Sequence, residues 1–487
     1  MLSLFALVIP LVMGVIALVV PWRRWIGWGS AVSSAGVLGV GIALCVTTSS
    51  HGPVSSLHGA LRADALSSFM VVVIGTVALL ATLQTPRVMT QELEEGTTTR
   101  RHAGNYVVLM QAFITCMLTA VLAANLGVLW VAVEATTIAT TFLVSHYRTK
   151  KAVEASWKYV ILCSVGIALA FFGTVLVYYA ALHSGVGKIG AASLNWTSLM
   201  AIAPHLNHGV MRLAVTLLVL GYGTKVGLAP THSWLADAHS QAPAPVSALM
   251  SGVLLTVAFY ALLRFKAIAD AALGPAYPRA LFIIVGLLSL LVAAVLLIAQ
   301  RDYKRMLAYS SVEHMGLLAL GAAAGSSLAI AAVLLHMLGH GLTKSTLFIS
   351  SGEIAHAEGT TEIAKVKALL ARRPVLGGIF GCALLALLGL PPFSLFISEF
   401  TMARAEVNVG LWWVVAISLV CLSVIFVSMT NHARHLLLGA GSAPAVSLRA
   451  RSVAVPLVSA LVASAFIGVS AWPLLSLLQA AAHVVAP

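Results

Sequence analysis

The stretch Leu213-Ala-Val-Thr-Leu-Leu-Val-Leu-Gly-Tyr-Gly-Thr-Lys-Val-Gly-Leu-Ala-Pro230 decides the fold. It opens as an apolar helix and breaks at Gly227 and Pro230, with Lys225 just ahead of the break. Glycine and proline interrupt a helical hydrogen-bond ladder, and in hydrocarbon the freed backbone groups need partners or water. A lysine at that depth costs about 2.5–3.5 kcal/mol or more, so it asks for a reason. The stretch reads as a broken membrane helix holding an ionisable group.

Apolar runs recur along all 487 residues, which are 60% hydrophobic and only 9% charged. Ordinary globular domains carry about a quarter charged residues. A soluble enzyme, a secreted disulfide scaffold and a disordered chain are therefore excluded. The runs do not alternate apolar with polar residues, which excludes an outer-membrane barrel. Cys45, Cys116, Cys163, Cys382 and Cys421 stand singly in apolar runs, without metal or redox spacing. The net charge of +13 comes from Lys and Arg scattered over short loops. No basic stripe with aromatics appears, so topology explains the charge better than nucleic-acid binding.

The pattern predicts an all-α polytopic membrane protein of about fourteen transmembrane helices in a single domain, 1–487. The spans run 2–21, 27–47, 64–84, 103–123, 126–146, 156–182, 209–230, 243–263, 279–299, 304–323, 327–350, 374–402, 409–430 and 452–474. Leu2–Pro21 is expected to be a first span rather than a cleaved signal, since no basic segment precedes it. The longer polar loops are 85–102, 183–208, 351–373 and 431–451. Loops after odd-numbered spans hold eighteen Lys and Arg, those after even-numbered spans seven; Lys158, Lys225 and Lys344 fall inside spans. The positive-inside rule then places both termini outside the cytoplasm, in a bacterial inner membrane.

Span twelve is expected to break like span seven, at Leu388-Gly-Leu-Pro-Pro-Phe-Ser-Leu-Phe-Ile-Ser-Glu-Phe400. Breaks five spans apart fit two inverted five-helix repeats, 103–263 and 279–430, with broken helices 7 and 12. Ionisable residues gather around those breaks. Glu134 lies mid-span in five and Lys225 at the break in seven. His336, His340 and Lys344 are spaced i, i+4, i+8 on one face of span eleven. Glu399 follows the break in span twelve. Lys158, His232 and His314 are secondary members. One membrane Glu–Lys pair is often structural, but six such residues over four helices point to proton transfer. A desolvated lysine gains and loses its proton as a carboxylate approaches and leaves, and neutral histidine can relay. Asp64 and Asp237, near span ends, read as caps or interfacial contacts. His336-x-x-x-His340 has helical metal-pair spacing, but no third ligand accompanies it in the sequence, so no metal is assigned. Gly221-x-Gly223 follows no strand and is not a nucleotide loop.

Several stretches resemble the antiporter-like subunits of respiratory complex I and its relatives. They are Val-Glu-Ala-Thr-Thr (133–137), Trp-Lys-Tyr-Val-Ile-Leu-Cys-Ser-Val-Gly (157–166), residues 221–239, residues 242–255 and His-Met-Leu-Gly-His-Gly-Leu-Thr-Lys-Ser (336–345). Within that superfamily the chain is most similar to the F component of hydrogenase-4 and formate hydrogenlyase-type complexes. The resemblance implies that Glu134 and Lys225 are the essential glutamate and lysine of spans five and seven. It implies that His336, His340 and Lys344 connect the halves and that Glu399 ends the outward path. It also implies a non-catalytic, proton-translocating subunit with no cofactor of its own. Any NiFe and Fe–S clusters are expected in a peripheral hydrogenase-like redox module, beside other membrane subunits. Na+ as a second moved ion stays open. Thr256 departs from the pattern, standing where a relative has lysine, so the central relay would use water or other side chains. A subunit of a multisubunit Na+/H+ antiporter is the alternative, although Glu399 favours the hydrogenase and complex I branch.

Overall fold

The computed structural model describes residues 1–186, 194–439 and 451–486; the loop charges Lys188 and Arg449 lie outside them. Helices α1 (Leu2–Val19) and α2 (Arg24–His51) lead into a short antiparallel hairpin, β1 (Val54–Ser56) and β2 (Leu61–Ala63). Then come α3 (Ala65–Thr82), α4 (Thr85–Glu94), α5 (Arg100–Leu122), α6 (Leu126–Val144) and α7 (Lys150–Leu182). The short α8 (Trp196–Ile202) precedes α9 (His208–Val226) and α10 (Trp234–Gln241). Helix α11 (Ala244–Leu249) passes through one π turn (Met250–Leu254) into α12 (Leu255–Leu273). Next are α13 (Ala276–Ile298), α14 (Tyr303–Ala324), α15 (Ser327–Glu358), α16 (Leu369–Arg372) and α17 (Pro374–Leu387). Helices α18 (Ser394–Asn408), α19 (Trp412–Leu437), α20 (Arg451–Val469) and α21 (Trp472–His483) complete the order.

Among the described residues, eleven helices are long and apolar enough to cross a bilayer. The pair Val453–Val469 and Leu474–His483, bent by 76°, makes a twelfth if it is one span. Helices also occupy the expected spans ten and twelve, but they fall short of that measure for physical reasons. Glu313 and His314, with Tyr309, Ser310 and Ser311 before them, make the middle of α14 too polar, and the break leaves α17 and α18 with 14 and 15 residues. The expected loop 85–102 is corrected in part: α4 occupies its first half, continuing from α3.

Both breaks are present. Helix α9 stops at Val226, and Gly227 turns the chain at φ +84°. Helix α17 stops at Leu387, and Gly389 follows at φ +62°. Positive φ is the left-handed region, which glycine enters without a Cβ clash. The backbone groups freed at the first break find partners. Trp234 Nε1 donates to the Thr224 carbonyl at 2.8 Å, and the Ala229 N–H donates to Ser289 Oγ at 2.9 Å.

The apolar window within α11–α12 is wholly buried, whereas those of α1 and α19 are 28% buried. The centre of the bundle is thus the π-turn helix, with α1 and α19 on the rim. Close approach of α7 to α9 depends on missing side chains. A Cβ at Gly166 would overlap Thr224, and one at Gly221 would overlap the Ala170 backbone. Small residues at membrane helix contacts allow this.

Asp64 caps α3, accepting from the Ser67 N–H at 3.0 Å. Its carboxylate also accepts two bonds from Arg264 Nη2, at 2.7 and 2.8 Å, and both residues are buried. Removing one partner leaves a buried charge uncompensated, at about 3–5 kcal/mol. Arg264→Ala should therefore lower the thermal unfolding midpoint in detergent steeply. The Asp64→Leu/Arg264→Met double variant should lose far less than either single change.

Candidate functional site

Helix α6 presents Glu134, and α9 presents Lys225 as its penultimate residue. They do not touch directly. Thr137 stands between them, one turn beyond Glu134 on α6. Its hydroxyl donates to Glu134 Oε2 at 3.1 Å and accepts from Lys225 Nζ at 2.8 Å. Ser164 of α7 donates to the other carboxylate oxygen at 3.0 Å. Lys225 is fully buried and also donates to the Tyr159 hydroxyl at 2.7 Å. Thr140 bonds that hydroxyl at 2.6 Å, and Trp234 packs on the Tyr159 ring at 4.9 Å between centroids. The break thus does two jobs. It ends α9 beside Lys225, and it brings Trp234 back to seat Tyr159.

The second group forms between α14 and α15. Lys344 is fully buried and donates to the Leu307 carbonyl at 2.7 Å and to Ser310 Oγ at 2.6 Å. One turn on from Ser310, His314 meets His336 with Nδ1 to Nε2 at 3.1 Å. His336 Nδ1 reaches Ser398 Oγ of α18 at 2.9 Å. His340 closes the cluster, its ring centroid 5.1 Å from that of His314. Glu399 Oε1 lies 3.8 Å from His314 Nδ1. A Cβ on Gly389 would overlap the Glu399 carboxylate, so the break in span twelve leaves the room that this carboxylate fills.

Glu399 also lines two cavities, of ≈ 310 and ≈ 240 Å³. The larger is shared with Glu313 of α14, a buried carboxylate that the sequence reading passed over.

The two groups are not joined by hydrogen bonds among the described residues. Between them stands the π turn, where Ser251 bonds Ser311 at 2.8 Å. Thr256 donates to its own helix, at the Val253 carbonyl, 2.9 Å. His239 of α10 is fully buried against Phe348, one turn from Lys344, and neither ring nitrogen has a partner.

Glu134 and Lys225 are brought together, as are Lys344, His336, His340, Glu399 and His314. His232 lies half-buried in the turn after the break, with Nδ1 unpartnered. Lys158 is placed elsewhere. Its half-exposed ammonium bonds Glu154 at 2.7 Å and Asp237 at 3.4 Å, and Asp237 also pairs with Arg305. The residues missed are Thr137, Tyr159, His239, Ser310, Glu313 and Ser398. For Glu313 a signal existed: Val133-Glu134 recurs as Val312-Glu313 five spans on.

The family described as NADH:quinone oxidoreductase/Mrp antiporter, transmembrane, matches residues 123–426. The chain belongs to this family. Its similar relatives include a hydrogenase-4 component F homolog of Methylacidiphilum infernorum. That protein is 40% identical over 337 residues, 69% of this chain and 70% of its own length. NADH-quinone oxidoreductase subunit N of Desulforudis audaxviator is 32% identical, over 66% of this chain and 62% of that protein. Among solved structures, a chain of the archaeal membrane-bound sulfane sulfur reductase has a TM-score of 0.88 at 23% identity, covering 99% of this chain and 97% of that one. A chain of the Mrp complex from Dietzia sp. gives 0.86 at 20%, covering 99% and 96%. These two likenesses are of fold. Family and fold together make this a polytopic subunit of the kind found in multisubunit membrane complexes.

The bridging hydroxyl gives a direct test. Thr137→Val keeps the shape but removes the hydrogen-bonded link between Glu134 and Lys225. It should cut proton translocation by reconstituted complex at least tenfold without loss of assembly, and Thr137→Ser should restore most of it.

Proposed function

We propose that this chain is the proton-translocating membrane subunit of a complex I-related or group-4 [NiFe]-hydrogenase-like oxidoreductase complex. The observation that carries this is the row of ionisable groups from the half-buried Glu134, through the fully buried Lys225, Lys344, His336 and His340, to the half-buried Glu399, clustered at two helix breaks in the bundle. Soluble cores rarely bury one such group without a partner, and membranes make each more costly. The relative named hydrogenase-4 component F homolog supports the hydrogenase branch.

In the proposed cycle, Lys225 holds a proton while Thr137 and Tyr159 face its ammonium and Glu134 supplies negative charge through Thr137. Withdrawal of Glu134 removes that support, and the proton moves inward. His239 and water carry it across the π turn toward Lys344. From there His340, His314 and His336 pass it to Glu399 and the cavities. Each step changes which oxygen or nitrogen faces the proton, and none needs a cofactor in this chain. Redox energy would come from a partner module holding NiFe and Fe–S clusters. The breaks Gly227-Leu-Ala-Pro230 and Gly389-Leu-Pro-Pro392, with the paired Val-Glu steps, support the inverted repeats 103–263 and 279–430. The excess of positive charge in odd-numbered loops supports termini outside the cytoplasm.

The Mrp structural likeness favours a second reading, an antiporter subunit without a redox partner. Co-purification of hydrogenase-like large and small subunits with the tagged chain would decide for the first reading. Small antiporter subunits in their place would decide for the second.

Lys225→Ala should abolish proton translocation in reconstituted vesicles with assembly intact. Lys225→Arg should fail nearly as badly, since a guanidinium does not release its proton. Glu399→Gln keeps shape and hydrogen bonding but cannot titrate, so it too should block. Wild-type translocation by Lys225→Ala would sink the reading.

A further inference from the structure

His314, His336 and His340 are fully buried, and one ligand nitrogen from each lies within 4.8 Å of the others. We infer that these three histidines, with Glu399 as a fourth ligand, form a binding site for a zinc-class divalent cation, and that its occupation blocks proton transfer. Four observations carry the site. The first is spacing. Zinc–nitrogen bonds of about 2.0–2.1 Å in a tetrahedron set ligand nitrogens about 3.3 Å apart. His314 Nδ1 and His336 Nε2 already stand 3.1 Å apart, so small ring rotations admit an ion.

The second is free valence. Both nitrogens of His340 are buried without any hydrogen-bond partner among the described residues. A packed interior seldom leaves polar atoms in that state. The third is the outer partner. A metal-bound histidine usually gives its other ring N–H to an oxygen, which fixes the ring. His336 has that arrangement, with Nε2 toward the cluster and Nδ1 on Ser398 Oγ at 2.9 Å. The fourth is charge and access. Glu399 Oε1 lies 3.8 Å from His314 Nδ1, and its carboxylate lines both cavities. A hydrated cation can reach the carboxylate from there and exchange water for imidazole.

The donor set selects the ion. Three neutral imidazoles and one carboxylate suit Zn2+ and its transition-metal neighbours, whereas Mg2+ and Ca2+ take oxygen ligands. The ligands are contributed by α14, α15 and α18, so an ion would tie together the helices around the outward path.

Binding stands without the translocation reading; the block rests on it. Zn2+ retained after desalting the purified full-length chain is counted by elemental analysis, and its coordination is read by X-ray absorption. One Zn2+ per chain is expected, with three imidazole nitrogens at about 2.0–2.1 Å. His340→Gln should weaken binding at least 100-fold. Ser398→Ala, which leaves the ligands in place, should weaken it about 10–100-fold, the effect of an outer partner. His356→Gln, at an exposed histidine, should change nothing. Lys225→Ala should bind Zn2+ as the wild type does, which separates this site from the proposed pumping cycle. In vesicles of the wild-type complex, Zn2+ should stop proton translocation and a chelator should restore it. No retained Zn2+, or equal retention by His340→Gln, would overturn the site. Bound Zn2+ with undiminished translocation would overturn the block.

Discussion

A charged amine in hydrocarbon must be met by oxygen atoms, and the architecture follows from how Lys225 and Lys344 are met. A hydrogen bond to a charged group contributes about 1.5–3 kcal/mol. Two such bonds, about 3–6 kcal/mol, offset the ~2.5–3.5 kcal/mol cost of a lysine at membrane depth. Lys225 donates two, to the hydroxyls of Thr137 and Tyr159, and Lys344 donates two, to the Leu307 carbonyl and the Ser310 hydroxyl. Among the described residues, neither lysine contacts a carboxylate directly. Each ammonium is thus held by little more than it needs, a condition under which a proton can leave. Supplying those oxygens requires close helices, which explains the glycine contacts between α7 and α9 and the return of Trp234 onto Tyr159.

The Asp64–Arg264 pair shows the contrary design. There the charges meet directly through two bonds, buried, with Trp196 and Tyr260 stacked on the guanidinium. Arginine does not deprotonate, so such a pair can only fasten α3 to α12. Glu134 and Lys225 are joined instead through a threonine hydroxyl, which rotates about one bond and can turn its hydrogen either way. In the proposed cycle, the distinction between a fixed ion pair and a hydroxyl-bridged one is the distinction between anchoring charges and moving ones. Lys158 falls with neither, since its partners Glu154 and Asp237 leave it half in solvent.

Much of this was legible in the sequence because the rules involved act on single residues. Gly227 and Gly389 announce the breaks, since only backbone chemistry explains them at mid-span. Glu134, Lys225, Lys344 and Glu399 stand out as charges in apolar runs. Thr137, Tyr159, Ser310 and Ser398 do not, because hydroxyls are common in membrane helices and usually bond their own backbone, as Thr256 does. His314 looked isolated because its partners lie 22 and 26 residues away on another helix. The number of spans blurred where function intrudes: Glu313, His314 and the hydroxyls before them make α14 polar, and the break halves span twelve.

The middle of the bundle is where these constraints meet. The π turn sits there, and π turns arise where one extra residue is accommodated in a helix, frequently at functional sites. It places Gly252 against Gly341 of α15, between His340 and Lys344, where any side chain would crowd the backbone. Thr256 on α12 bonds the Val253 carbonyl of its own helix and so reaches neither lysine. What stands between Lys225 and Lys344 is His239, with two nitrogens unpartnered among the described residues. The proposed relay therefore changes character along its length. It begins at a lysine gripped by hydroxyls, crosses a narrow zone built from a histidine and small side chains, and ends at carboxylates that open onto cavities. In the proposed cycle, that gradient from tightly coordinated sites to a cavity-lining carboxylate is what would let a charge enter the hydrocarbon on one side and be released on the other.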